Sequence, residues 1–144
     1  MPRMIFPNLP VKDVKAARAF YASLGFAINE MFSDEQTASV ILEENITLML
    51  LEEEKFRGFI KNDIAARETT EVLLALSCDT REEVVDLAAK ARAAGADAWN
   101  DPMDMGFMYA ESFRDLDGHV LELVWMDPAA AAGGPPEDAQ AATA

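Results

Sequence analysis

The chain has 144 residues, 51% of them hydrophobic, and carries 26 acidic against 12 basic residues for a net charge of −14. A surplus of that sign repels a nucleic-acid backbone and an anionic membrane surface, so neither is an expected partner. A single cysteine, Cys78, excludes an intrachain disulfide and fits a reducing compartment. The opening MPRMIFPNLP lacks the apolar core of a signal peptide, and no run is long enough to cross a membrane, so the expectation is a soluble cytoplasmic protein.

Residues 5–11 read as a short strand, confined to an edge by Pro7 and Pro10. Asp13 is placed to cap a helix whose apolar positions Val14, Ala17, Phe20, Tyr21 and Leu24 fall at helical spacing, and Gly25 stops it. Strands are predicted over 26–32, 38–42 and 46–51, the last two joined by a turn at Glu43-Glu44-Asn45. The first module, about 4–51, is therefore strand, helix, three strands. Residues 52–69 are a connector, in which Phe56, Phe59, Ile60 and Ile64 suggest a short amphipathic helix. The Glu52-Glu53-Glu54 run reads as a solvated surface beside its N-terminus.

The pattern then repeats over about 70–128. A strand is predicted over 71–77, and Asp79 or Thr80 caps a helix with the stripe Val84, Leu87, Ala88 and Ala91, ended by Gly95. Aligning Leu9 to Asp13 with Ala75 to Asp79, and Gly25 with Gly95, gives two copies. Strands near Ala98, over 107–113 and over 119–125 complete the second module. Residues 129–144, rich in Ala, Gly and Pro, lack apolar bulk and are expected to be disordered.

The closing stretch 112–128, SFRDLDGHVLELVWMDP, reads as a hairpin turning at Asp115-Leu116-Asp117-Gly118. Glu122 interrupts the apolar returning strand, and a carboxylate there needs water, a partner or a ligand. Strand alternation puts Val120, Glu122 and Val124 on one face and His119, Leu121, Leu123 and Trp125 on the other, the helix-covered one. With a four-residue turn, Phe113 pairs with Val120, Glu111 with Glu122 and Tyr109 with Val124, so Tyr109 and Glu111 are expected on the Glu122 face.

The VKD-helix-FY-LGF opening, the DLDGHVLEL close and their duplicated order resemble the vicinal oxygen chelate superfamily, which holds glyoxalases, bleomycin-resistance proteins and extradiol dioxygenases. The resemblance implies an α+β fold of two paired β-α-β-β-β modules whose sheets form a U-shaped cup, helices on the convex side and ligand on the concave side, in a single domain over 1–128. It also implies a homodimer. In the metal enzymes of this group, Glu122 corresponds to a ligand, and the other ligand positions fall at Phe6, at Leu73 and near Met49. Only Glu122 keeps a donor, so no cofactor is expected, a divalent ion at Glu122 being the alternative.

The expected site is thus Glu122 as general acid/base, with Phe6, Asn8, Leu73, Tyr109 and Glu111 binding ligand. Asn8 has a second reading, as a group satisfying irregular backbone beside Pro7 and Pro10. Glu122 has one as a salt-bridged carboxylate, and Tyr109 with Glu111 as an ordinary strand pair at a wet rim. Cys78 reads as a buried small residue, His119 as a surface or strand-opening residue, and Met103, Met105 and Met108 as gap-filling packing or an adaptable lid over a hydrophobic ligand. Two functions of different class follow: a glyoxalase-like enzyme on a small organic molecule, or a bleomycin-resistance-type protein that sequesters one. A metal-dependent lyase of the lactoylglutathione type, or a dioxygenase, is the alternative.

Overall fold

The computed structural model describes residues 2–134. The chain forms two compact units, one of Met1–Glu71 together with Asp115–His119, the other of Val72–Arg114 with the chain from Val120 onward. Each unit holds one copy of the β-α-β-β-β repeat, so the α+β class and the internal duplication read from the sequence are both present.

In the first unit, β1 (Asn8–Val11), α1 (Val14–Ser23), β2 (Ala27–Ile28), β3 (Thr37–Glu43) and β4 (Ile46–Glu52) build a sheet in the order β1-β4-β3-β2. β1 and β4 run parallel, and the other pairs are antiparallel. Asp13 caps α1 by accepting from the Ala16 N–H, and Gly25 leaves the helix at φ 101°. Val14, Ala17, Phe20 and Tyr21 are the buried face of that helix. Ala38, Val40, Leu48 and Leu50, all fully enclosed, form the core of the same unit. The strand predicted over 26–32 is shorter than expected, because Asn29 caps a 3-10 turn over Glu30–Phe32. The connector is also corrected. Its helix, α2, spans only Glu53–Arg57 and ends at Gly58, and Phe59 lies outside it, exposed.

In the second unit, β5 (Leu73–Cys78), α3 (Arg81–Ala93), β6 (Asp97–Ala98), β7 (Met103–Asp104), β8 (Met108–Arg114) and β9 (Val120–Met126) give the order β5-β9-β8-β6, with β7 added on β8. β5 and β9 are parallel, repeating the first sheet's pattern. Thr80 caps α3 through the Glu83 N–H, while the Glu83 carboxylate takes the Asp79 N–H, a reciprocal arrangement that satisfies two otherwise unpaired donors. Val84, Ala88 and Ala91 of α3 are fully buried, as are Phe113, Leu121 and Leu123. After β9, Asp127 caps a short helix, α4 (Pro128–Gly133), with Pro at its start. The disorder expected from residue 129 is therefore corrected as far as Gly133, and the rest of that segment, 135–144, lies outside the described residues.

Candidate functional site

The β8–β9 hairpin decides which side chains share a face, and its register differs from the expected one. Ser112 pairs with Glu122, Glu111 with Leu123 and Tyr109 with Trp125. The cause is the connection, which has five residues between the paired Arg114 and Val120. Asp115 Oδ1 accepts from the N–H groups of both Asp117 and His119, at 2.9 Å each, and this winds the loop one residue wider than a four-residue turn. Gly118 takes φ 90° within it. A single-residue change of register moves every side chain of a strand to the opposite face.

Tyr109 and Glu111 therefore leave β8 on the face opposite Glu122. They lie on the α3 side, where Arg92 approaches Glu111 at 3.4 Å and the Tyr109 hydroxyl donates to the same carboxylate at 3.0 Å. Burial, followed by that hydrogen bond, raises the Tyr109 pKa and keeps the hydroxyl protonated. The Arg81 guanidinium sits 4.8 Å from the centre of the Tyr109 ring and 5.6 Å from that of Trp125 while pairing with Asp104.

The face that Glu122 does occupy carries Ser112 and Ala110 from β8, Val124 from β9, and Leu73, Ala75 and Ser77 from β5, with Ala75 directly beside Glu122. A cavity of about 170 Å³ opens on it, bordered by Asn100, Asp101, Met103, Met108, Ala110, Ser112, Glu122 and Val124. Glu111 also borders it, although its carboxylate is engaged by Arg92 and Tyr109. Ser112 Oγ accepts from the Asn100 N–H at 2.9 Å, fixing the loop that forms one wall. The Glu122 carboxylate is half-buried and makes no hydrogen bond or ion pair among the described residues. Ser112 and Asn100 were not among the expected site residues, and Met103 had two readings, gap-filling packing or part of a lid. A five-residue connection was the missing signal.

Leu73, the partner of Val120, lies on the Glu122 face, 52% exposed, and does not border this cavity. Phe6 and Asn8 belong to the first unit. Phe6 precedes β1 and is 50% exposed. Asn8 is the register partner of Met49, and its amide donates to the Phe6 carbonyl at 2.7 Å, the backbone-satisfying role. Among the described residues, no group of three or more His, Cys, Asp or Glu side chains could hold a metal ion. Beside Glu122, the strand neighbours offer one hydroxyl and a methyl group, which does not fit a transition-metal centre. Cys78 is buried, and its thiol is pushed up to about 11 by burial and by Glu83 and Asp79, which makes it a poor nucleophile.

Of the two readings of His119, surface or strand-opening, the first is overturned: it is a buried residue of the first unit, immediately before β9. Its Nδ1 lies 2.7 Å from Glu71 Oε1 and its Nε2 2.7 Å from the Pro10 carbonyl. Both partners are acceptors, so both ring nitrogens bear protons in this arrangement. Burial pulls the His119 pKa down, but Asp115, the Pro10 carbonyl and Glu71 together outweigh it, and the net shift is upward. Asp115 in turn accepts from the Tyr21 hydroxyl at 2.6 Å.

A sequence model of the glyoxalase/bleomycin resistance protein/dioxygenase superfamily matches residues 4–123. Among solved structures, a hypothetical protein from S. aureus is 29% identical with a TM-score of 0.73, covering 87% of this chain and 94% of that one. A family enzyme from Burkholderia phytofirmans PsJN is 20% identical with a TM-score of 0.72, covering 87% and 99%. A lactoylglutathione lyase from Agrobacterium tumefaciens is 17% identical with a TM-score of 0.63, covering 87% and 94%. The last two likenesses are of fold. No curated protein matches the chain.

Proposed function

The chain belongs to the glyoxalase/bleomycin resistance protein/dioxygenase superfamily, and from that premise we propose that it binds a small organic molecule on the open face of the second sheet, without a metal. One observation carries the reading. Glu122 is a half-buried, mid-strand carboxylate with no partner among the described residues, at the wall of a cavity bordered by Met103, Met108, Ala110 and Val124. A carboxylate in such surroundings is costly to leave unmatched, and a ligand atom that is cationic or donates a hydrogen bond offsets that cost. The methionines supply polarizable, adaptable contact for an apolar body beside that atom.

The ligand is therefore a small molecule with an apolar skeleton and one cationic or donor group. This suits a sequestering protein of the bleomycin-resistance type, and it also leaves Glu122 placed to exchange a proton with a bound substrate. A panel of small organic amines and their uncharged analogues, titrated calorimetrically, tests it. An amine that binds the native chain should weaken about tenfold on Glu122→Gln, a loss of about 1.4 kcal/mol. Equal binding by amine and uncharged analogue, or no change on substitution, would remove Glu122 from the site. Recovery of the bound ligand unaltered distinguishes sequestration from chemistry.

A further inference from the structure

The first unit holds two adjoining cavities that share Pro10, Ile64, Ala65 and His119. One, of about 280 Å³, is bordered by Lys12, Arg57 and Arg67 against Glu53 and Asp117. Acids outnumber bases 26 to 12 in the whole chain, so three cations against two carboxylates at one opening reverses the composition of the molecule. One of the two carboxylates is moreover engaged from within. Asp117 Oδ1 accepts the Lys12 backbone N–H at 2.9 Å, and Glu53 lies 3.6 Å from Arg57, too far to take up its guanidinium donors in a hydrogen bond. The Lys12 ammonium makes no hydrogen bond or ion pair among the described residues. His119, doubly donating to Glu71 and Pro10, is charge-matched by Glu71 and adds no net charge to the wall.

The second cavity, of about 440 Å³, is different in character. Phe56, Ile60 and Ile64 border it, brought there by α2 and the segment after it, together with Lys61, Asp63 and Glu71, and with Pro10 and His119 at the junction with the first cavity. A cationic opening that runs into an apolar one has a chemically defined complement.

We propose that the first unit binds a small amphipathic anion, an organic carboxylate whose head group meets Lys12 and Arg57 and whose hydrocarbon body lies against Phe56, Ile60 and Ile64. Arg57 supplies the planar pair of donors that suits a carboxylate, and Lys12 a mobile point charge beside it. The aliphatic wall gives the affinity that an exposed ion pair alone does not. This site shares no residue with the Glu122 cavity, so its fate and that of the function proposed above are decided separately.

Octanoate is a suitable probe, titrated into the full chain with amide shifts followed by NMR and affinity by calorimetry. Saturable binding is expected, with shifts centred on residues 56–65, and octanol should bind about tenfold more weakly. Lys12 and Arg57 are both exposed, so a Lys12→Gln, Arg57→Gln double variant should fold normally while losing octanoate to the octanol level. Ile60→Ser should weaken octanoate and octanol alike. Equal affinity for octanoate and octanol in the native chain, unchanged binding in the double variant, or shifts centred on Ser112 and Glu122 would each overturn the assignment.

Discussion

The Tyr21 hydroxyl donates to Asp115 Oδ2 at 2.6 Å, joining residues 94 positions apart in the chain. Tyr21 is fully enclosed and Asp115 nearly so. The same carboxylate also accepts two N–H groups of its own loop through its other oxygen. Tyr21→Phe removes one donor to a buried charge and should cost about 1.5–3 kcal/mol in chemical denaturation, the range for a hydrogen bond to a charged group. Asp115→Ala strips the loop of all three bonds and should cost more. Should Tyr21→Phe prove neutral, the carboxylate is solvated from elsewhere.

His119 makes the protein's stability depend on pH in a definite direction. Its folded pKa lies above the ordinary value of about 6.5, so its contribution is full below that value and is lost as pH rises through the folded pKa. Each unit of upward shift corresponds to about 1.4 kcal/mol. The groups that face it are Glu71, Asp115 and the Pro10 carbonyl, with Asp117 nearby. Denaturation midpoints measured from pH 6 upward should fall for the native chain and stay comparatively level for His119→Gln. Parallel profiles for the two would show that the imidazole is neutral throughout.

The faces of β9 are checked by a pair of adjacent substitutions. Leu123 is 1% exposed on the α3 side, and Leu123→Asp places a charge there with no partner. The expected cost is roughly 3 kcal/mol or more. Glu122→Gln, on the opposite face, should change stability by less than about 1 kcal/mol, since the carboxylate has no described partner to lose. Comparable damage from both would mean that the strand is rotated.

Metal content follows from the donor set around Glu122. Ala75 and Ser112 flank it, and Phe6, Leu73 and Met49 stand at the other ligand positions implied by the family resemblance. Protein purified without chelator should carry no stoichiometric zinc, nickel, manganese or iron by elemental analysis. About one such ion per chain, lost on Glu122→Ala, would restore metal-dependent lyase or dioxygenase chemistry.

Local signals in the sequence carried most of the fold. Asp13, Thr80, Gly25 and Gly95 mark helix ends by capping chemistry that acts within a few residues, and the structure uses each of them. The face of Glu122 was likewise legible, because alternation along β9 needs no knowledge of its partner. Tyr109 and Glu111 were misplaced because their face depends on the length of the 115–119 loop, which is set by one carboxylate choosing two N–H groups. The helix expected over Phe56, Phe59, Ile60 and Ile64 fails at Gly58, where the chain leaves α2. The partners of His119 could not be read, since Glu71 and Pro10 are 48 and 109 positions away.

The loop 115–119 also sets the order in which the protein can be finished. The Lys12 N–H, the Tyr21 hydroxyl and the Pro10 carbonyl meet Asp117, Asp115 and His119 across separations of 105, 94 and 109 residues. Closing such long loops is slow, and it cannot begin until those residues exist. On the ribosome, residues 1–71 can assemble β1 to β4 and α1, but the enclosed Tyr21 hydroxyl waits without its acceptor until Asp115, just beyond β8, emerges. A nascent chain stalled at that stage would present an incomplete core to chaperones and proteases. The half of the molecule that is made first cannot be completed until most of the other half has been made.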